Sequence, residues 1–595
     1  MNELFSEQAL DIIEHRYLAR NDRNEIVETP EDMFKRVAKT LGENKTNELY
    51  KTMIEKKFVP AGRTLANAGG PTKLVSNCIV LGFKDSMEGI FQTLKDASQL
   101  QQQGCGLGFA WHLLRPAGSM AKTNRGISSG PVSFMRVYNQ AFGVIKQQNR
   151  HGANMGVMSV DHPDILEFIH CKEKEGDFIN FNISVGLTDK FMKAVFKDEQ
   201  TPWMCEFPCN RESDFEGEVQ VMLPRRIKRD NREVPTEIIP VKMTAKQLFD
   251  EIVSAAWSNG EPGVIFLDTI NKSNPLPANG KIHTTNPCGE QGLQDGDVCN
   301  LGSLNLGVFV KNKEIDWKDL EKTTRLAVMA LDNVIDQTEH SIEKVNTTMR
   351  NNRRIGLGIM GWADMLIKLD IGYNTKRALE LAEEVMTFIN ETAHNESEKR
   401  AVKLGSFPNI KKSVFAKIPD YKKRNAAITT VAPTGTISMV FDCSSGIEPH
   451  FALAYVKTVM QGRKFYYINE DLQQALKERN LYTDELIEQI SQTGSIQHLN
   501  LPEDMKTTFV CAMDINANDH IEMQAAFQKH IDNSISKTIN FPNTATKKDV
   551  QSGYYLAWTL GCKGCTVYRD GSRNEQVLTI EAQTDKNCKS GVCDL

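Results

Sequence analysis

Short β-rich runs alternate with amphipathic helical stretches along most of the chain, and that alternation predicts a large α/β fold. Two further observations shape the prediction. The first seventy or so residues carry only helical patterns, and the segment after Arg573 turns polar, with few apolar groups. No repeat recurs at a fixed period.

The elements follow in chain order. Apolar residues at helical spacing over 6–19 and 31–41, with Thr29 and Pro30 as a start signal between them, predict two helices. A β-rich run at 75–83 predicts a strand. Ser86 is placed to cap a helix whose Ile90, Leu94 and Ala97 share a face and which ends in the glycine-rich stretch 104–108. Pro131 opens a helical run to Ile145, and 146–158 (KQQNRHGANMGVM) predicts a polar loop. The run at 178–187 predicts another strand. Thr244 starts an amphipathic helix with Leu248, Ile252, Ala255 and Ala256 on one stripe, stopped by Asn259 and Gly260. Residues 319–336 repeat the pattern, and 427–432 predicts a further strand.

Composition narrows the function. The chain has 595 residues, 40% hydrophobic and 25% charged, which is ordinary for a globular protein. A net charge of −5 argues against a dedicated nucleic-acid binder. No window approaches the roughly 18 apolar residues of a membrane span, and the N-terminus lacks a signal peptide's basic start and apolar core. A cytoplasmic location without membrane contact is expected. Thirteen cysteines in so long a chain then point to burial, metal binding or redox work rather than to a disulfide scaffold.

Residues 356–361 (GLGIMG) match the dinucleotide fingerprint letter for letter, but Arg353 and Arg354 stand where a buried strand should lead in. Close helix packing, with a helix continuing over 362–369, is expected instead of nicotinamide binding. Cys562 and Cys565 have zinc-knuckle spacing. A structural site would pair them with a second tight cluster, and Cys588 and Cys593 stand four residues apart on the polar tail. No metal is expected, and packing is the expected role of Cys562 and Cys565. The tail pair instead has the form of a thiol shuttle able to reduce a buried disulfide by exchange. Cys78 and Cys299 are candidate clients, although each could equally be a lone buried strand cysteine. Residues 286–290 (NPCGE) put a thiol, an amide and a carboxylate on a segment bent by proline and glycine.

Taken together, the NPCGE loop, Cys78, Cys299 eleven residues after Cys288, the loop 432–438 (APTGTIS) and the terminal C-x4-C resemble a ribonucleotide reductase catalytic subunit. Segments 561–573 (GCKGCTVYRDGSR), 353–366 (RRIGLGIMGWADML) and 443–455 (CSSGIEPHFALAY) look most like the adenosylcobalamin-dependent class II enzymes that reduce ribonucleoside diphosphates. The resemblance spans nearly the whole chain. It implies a ten-stranded α/β barrel of two five-stranded halves with a central finger loop, a helical region over 1–70, a barrel over 71–573 and a redox tail over 574–595.

The same resemblance implies the roles. Cys288 becomes a thiyl radical and abstracts the substrate's 3′-hydrogen, Glu290 is the general base, and Asn286 holds the substrate. Cys78 and Cys299 protonate the departing 2′-OH and close to a disulfide, which Cys588 and Cys593 reduce. Substrate contacts are expected from Thr64, Ser76, Asn77, Asn286 and the loop Pro433, Thr434, Gly435, Thr436, Ile437 and Ser438. Effector contacts are expected from Asp85, Arg115, Arg150 and His151, with helices over 86–103 and 131–146 forming a homodimer.

The expected cofactor is adenosylcobalamin. The expected partners are a ribonucleotide, a deoxynucleotide or ATP effector, and a thioredoxin- or glutaredoxin-like reductant. Diphosphate substrates are the expectation, although the residues do not separate them from triphosphates. Class I relatives carry a tyrosine dyad for a radical arriving from a metal-containing subunit. This chain has Val567 and Tyr568 there, and the adjacent pair Tyr554 and Tyr555 lies thirteen residues too early. A class I large subunit is the alternative. The short stretch before the barrel predicts base selection without a dATP off-switch.

Overall fold

The computed structural model describes residues 4–572, apart from 77, 120–125, 146–151, 198–199, 208–218, 223, 227–237, 241 and 460–462. Its first layer is helical. Ser6 accepts from Ala9 N to cap the helix Glu7–Arg16. Thr29 and Asp32 form a reciprocal capping box at the start of Pro30–Leu41, with Pro30 at its first position. Met33, Phe34, Val37, Ala38 and Leu41 of that helix are buried in the main core.

Ten strands form the central sheet: β1 (Phe58–Pro60), β2 (Cys78–Leu81), β3 (Gly106–Ala110), β4 (Asn154–Ser159), β5 (Asn182–Leu187), β6 (Gly263–Phe266), β7 (Val298–Asn305), β8 (Ile355–Met360), β9 (Thr538–Phe541) and β10 (Gly564–Arg569). Strands β2 to β6 pair in sequence order and all in parallel. Each crossover carries a helix, as parallel neighbours require. The second half is β7, β8, the extended segment around 429–431, β9 and β10, again all parallel. The halves meet antiparallel at both seams, β2 against β7 and β6 against β10, and the sheet closes into a barrel. β1 is an extra antiparallel edge on β7, outside the ring.

The outer helices are held by what their sequences offer. Thr244 and Gln247 make a capping box, and Gly260 in left-handed geometry ends the helix Ala245–Asn259. Tyr138 Oη donates to Ile90 O at 2.5 Å and ties Pro131–Val144 to Met87–Gln102. Phe83, Phe109, Trp111, Tyr138, Phe142 and Phe181 interlock beneath that pair. No described helix is long and apolar enough to cross a membrane.

Several expectations need correction. The polar stretch 146–158 is not loop throughout, since 154–158 lie in β4 and are buried. Gly156 sits where a Cβ would be 3.1 Å from Trp111 Nε1, so its small size lets the strand pass the indole. Residues 427–432 form isolated parallel bridges rather than a regular strand. The GLGIMG stretch is mostly strand β8 itself, and the helix Trp362–Lys368 follows it. A Cβ on Gly358 would stand 2.7 Å from Thr430 O, so this glycine admits the neighbouring backbone rather than a phosphate.

Candidate active site

The connection from β6 to β7 turns back inside the barrel as a short hairpin, Thr284–Thr285 paired with Gly292–Leu293. Its tip is closed by Asn286 N donating to Gln291 O (3.0 Å) and Gly289 N donating to Asn286 O (3.1 Å). Pro287 supplies the preset φ of the turn, and Gly289, at φ +82°, takes the left-handed position that follows. The finger touches both halves. A Cβ on Gly108 of β3 would lie 1.9 Å from Thr285 O, Asn182 Nδ2 of β5 donates to Pro287 O (3.3 Å), and Thr430 Oγ1 donates to Glu290 O (2.8 Å). Ser534 N donates to the same carbonyl at 2.9 Å.

That clamp orients the side chains. Asn286 Oδ1 accepts from Gln291 N (3.0 Å), which directs Nδ2 to Cys78 Sγ at 3.4 Å. Cys78 and Cys299 are direct partners across the antiparallel β2–β7 seam. Opposed residues of such a pair have Cα atoms about 4.5–5.5 Å apart, inside the range a disulfide spans. Both pack with Val80, Leu293, Leu301 and Ala432. Among the ten described cysteines Cys288, at the tip, is the exposed one, and none is in a disulfide.

Electrostatics separates the groups. Burial lifts Glu290 to about 7, against opposing hydrogen bonds from its own backbone and from Asn286. Its Oε2 has no partner. Burial also raises Cys78 well above a free thiol, and Glu290 adds to that while the Asn286 amide opposes it. Cys299 is raised by burial too, with the Arg354 guanidinium pulling the other way. At neutral pH both seam thiols are therefore protonated, and the carboxyl beside them titrates. The cluster can move a proton at Glu290, donate hydrogen from two thiols, and present a third thiol to whatever enters.

The other expected residues are distributed around this centre. The loop 433–438 begins one residue after Ala432, which packs on the seam thiols. Thr434 is left-handed at φ +54° and accepts from Gly446 N (2.8 Å), and the space at Gly435 is open. Ser76 is buried, with Oγ 3.1 Å from His340 Nε2, and Thr64 is buried with its hydroxyl donating to Val75 O at 3.0 Å. Asp85 is held by Arg115 through its backbone N (3.1 Å) and Nε (2.8 Å), at the foot of Met87–Gln102. Asn77, Arg150, His151, Cys588 and Cys593 lie outside the described residues.

Cys562 and Cys565 are buried in the main core. Tyr554 is buried and donates to Pro262 O, while Tyr555 packs on Phe196. Thr430, Ser534 and the buried pair Asp297 and Arg354 were not legible as site residues. Thr430 had one signal, its place three residues before the PTGTIS loop.

The profile of the family described as "Ribonucleotide reductase, barrel domain" matches residues 76–568, and that of "Ribonucleotide reductase, all-alpha domain" matches 3–73. The chain is 37% identical to the vitamin B12-dependent ribonucleoside-diphosphate reductase of Thermoplasma acidophilum, over 99% of this chain and 82% of that protein. It is 38% identical to the protein of the same name from Mycobacterium tuberculosis, over 96% of this chain and 79% of that one. The Actinobacillus ureae class Id ribonucleotide reductase alpha subunit superposes with a TM-score of 0.77 at 22% identity, covering 96% of this chain and 98% of the other, a likeness of fold.

Proposed function

The chain belongs to the ribonucleotide reductase family, and on that premise we propose that it reduces ribonucleoside diphosphates to 2′-deoxyribonucleotides for DNA precursor supply, by thiyl-radical chemistry at Cys288 in the cytoplasm. One observation carries the reading. The finger loop, β2 and β7 bring Cys288, Glu290, Asn286, Cys78 and Cys299 to one place inside the barrel.

Vitamin B12 dependence is named for both curated relatives. The site fits that group, because Cys288 is exposed and nothing lies within 4 Å of a Cβ on Gly289. Adenosylcobalamin, when bound, supplies an unpaired electron by homolysis of its cobalt–carbon bond, and Cys288 and Gly289 are the described residues that would face it.

The chain's own residues do the rest. Cys288, as a thiyl, takes the 3′-hydrogen. This step is reversible because S–H and ribose C–H bonds are close in strength. Glu290 accepts the 3′-OH proton, and a base near 7 suits that transfer at neutral pH. Hydroxide is a poor leaving group, so the 2′-OH departs as water with a proton from the Cys78 and Cys299 pair; the pair's second hydrogen goes to C2′ as the pair closes to a disulfide, and Cys288 returns its hydrogen to C3′. Asn286 holds the sugar by amide hydrogen bonds.

The substrate's phosphates rest on the loop 433–438, where backbone N–H groups open the helix Gly435–Val440, with Thr64, Ser76 and Asn77 completing the pocket. Cys588 and Cys593, on the tail 574–595, return the pair to thiols at the expense of a thioredoxin- or glutaredoxin-like protein. A deoxynucleotide or ATP effector sits near Asp85, Arg115, Arg150 and His151, where the helices Met87–Gln102 and Pro131–Val144 form a homodimer. The mainly helical region 1–70, which also contributes the edge strand β1, supports the barrel, 71–573, from outside.

An anaerobic assay tests the reading. The purified chain is given a ribonucleoside diphosphate, dithiothreitol and an effector, with and without adenosylcobalamin. Deoxynucleotide formed only with the cofactor is expected. Product that instead requires a metal-containing second subunit would overturn the cofactor assignment and bring Tyr568 into the radical path. No product under either condition would overturn the function.

A further inference from the structure

The two thiols of the seam pair are not equivalent. Cys78 faces the finger, since Asn286 Nδ2 lies 3.4 Å from its sulfur and the charge of Cys288 is felt there. It is 6% exposed, whereas Cys299 is 0%. Behind Cys299 lies a buried ion pair. The β7–β8 ladder begins with Asn300 opposite Ile355, so Cys299 and Arg354 each stand one residue before it, and the charge of Arg354 acts on Cys299.

Arg354 is fully buried. Its Nε donates to Asp297 Oδ2 at 2.6 Å, while Nη1 and Nη2 have no hydrogen-bond partner. A buried guanidinium with two idle nitrogens is costly unless something in the working cycle uses it. Asp297 neutralises it only in part, because at Cys299 the pull of Arg354 exceeds the push of Asp297.

Resting on the reading of Cys78 and Cys299 as the redox pair, we propose that Arg354 makes Cys299 the leaving sulfur, and therefore Cys78 the attacked one, when the disulfide is reduced. An incoming thiolate forms a bond to Cys78 Sγ. The Cys78–Cys299 bond breaks with its electron pair on Cys299 Sγ, whose negative charge the idle Arg354 nitrogens stabilise until it takes a proton. The second thiol of the dithiol reductant then attacks the mixed disulfide and releases Cys78. Two electrons pass to the protein, and the reductant becomes a disulfide. Arg354 is a positioning residue that acts through Cys299, and its charge sets the direction of exchange.

The test uses the full chain. The wild-type enzyme makes one turnover without reductant, and peptide mapping locates the disulfide. Its absence between Cys78 and Cys299 would show that the underlying reading, rather than the role of Arg354, has failed. The oxidised protein is next treated with 2-mercaptoethanol, quenched with acid and mapped for the mixed disulfide. The adduct is expected on Cys78. An adduct on Cys299, or equal amounts on both, overturns the proposal.

Arg354→Gln leaves Asp297 unpaired and can misfold, so the neutral double variant Asp297→Asn with Arg354→Gln serves beside it, with cooperative thermal unfolding as the check. After oxidation by diamide, reduction of the double variant by dithiothreitol is expected to be about ten- to a hundredfold slower, the range for a lost charge-assisted contact. The single variant Arg354→Lys, with Asp297 intact, is expected to recover part of the rate. An unchanged rate and an unchanged adduct site in the double variant would overturn the assignment.

Discussion

Replacing Glu290 by glutamine should remove activity and add stability. The carboxyl is 1% exposed, and burial raises it from 4.5 to about 7. A carboxyl held this way is bound to its proton more tightly folded than unfolded. Its contribution to stability is therefore fully present below the unfolded value and is lost as pH rises through 7. Between pH 5 and pH 8 the loss amounts to about 2.5 kcal/mol. Glu290→Gln keeps the shape and deletes the titration, so the variant's stability advantage should grow by that amount over the same interval.

Activity should move the other way. In the wild type, kcat/KM should fall about tenfold from its plateau by pH 6, where roughly a tenth of Glu290 is ionised. In the variant the plateau should drop by about 10²–10⁴ and the acid limb should vanish. Thermal or denaturant midpoints measured at pH 5 and pH 8, with the pH–rate profile, read both. A variant whose stability tracks the wild type across this range, or which retains an acid limb near 7, would refute the placement of a buried, titrating base here.

Other perturbations separate chemistry from scaffold. Cys288→Ala should abolish deoxynucleotide formation while unfolding stays within about 0.5 kcal/mol of wild type, since the side chain is exposed and the turn rests on its neighbours; residual turnover would remove Cys288 from the mechanism. Gly108→Ala drives a Cβ to 1.9 Å from Thr285 O, backbone that cannot rotate away. It should cost about 1–3 kcal/mol and, by displacing the finger, about a hundredfold in kcat; normal kinetics would mean that the finger does not rest on β3. Thr430→Val removes the hydroxyl that holds Glu290 O. A loss of about 1–2 kcal/mol with a lower kcat is expected, and an unaffected kcat would show that this clamp does not orient Glu290.

Much of this was legible in the chain. The signals at Thr29, Ser86 and Thr244 mark helix starts because a side-chain oxygen facing an unpaired N–H is a local event. Strand β4 was missed because its glycine and asparagine imitate loop composition. They are there for tertiary reasons, with Gly156 against Trp111 and Asn154 reaching Asn180 O. The GLGIMG stretch misleads for a similar cause, since its glycines admit a neighbouring strand. That Cys78 opposes Cys299 could not be read from spacing at all. Their register is set by closure of the barrel, a property of the whole topology. Arg354 was equally opaque, because nothing in its neighbourhood of sequence says which partner its guanidinium would lack.

The antiparallel seam has one more consequence. The strand ladders that join the two halves of the barrel are short, two residue pairs at β2–β7 and two at β6–β10. A disulfide between Cys78 and Cys299 is a rivet through the first of these. It would close a loop of roughly 220 residues and, on chain-entropy grounds, disfavour the unfolded chain by about 5 kcal/mol. Each catalytic cycle would then fasten the barrel and unfasten it again. The spent enzyme would carry an extra covalent tie at this seam, and the enzyme ready for substrate would hold it by ladder and side-chain contacts alone.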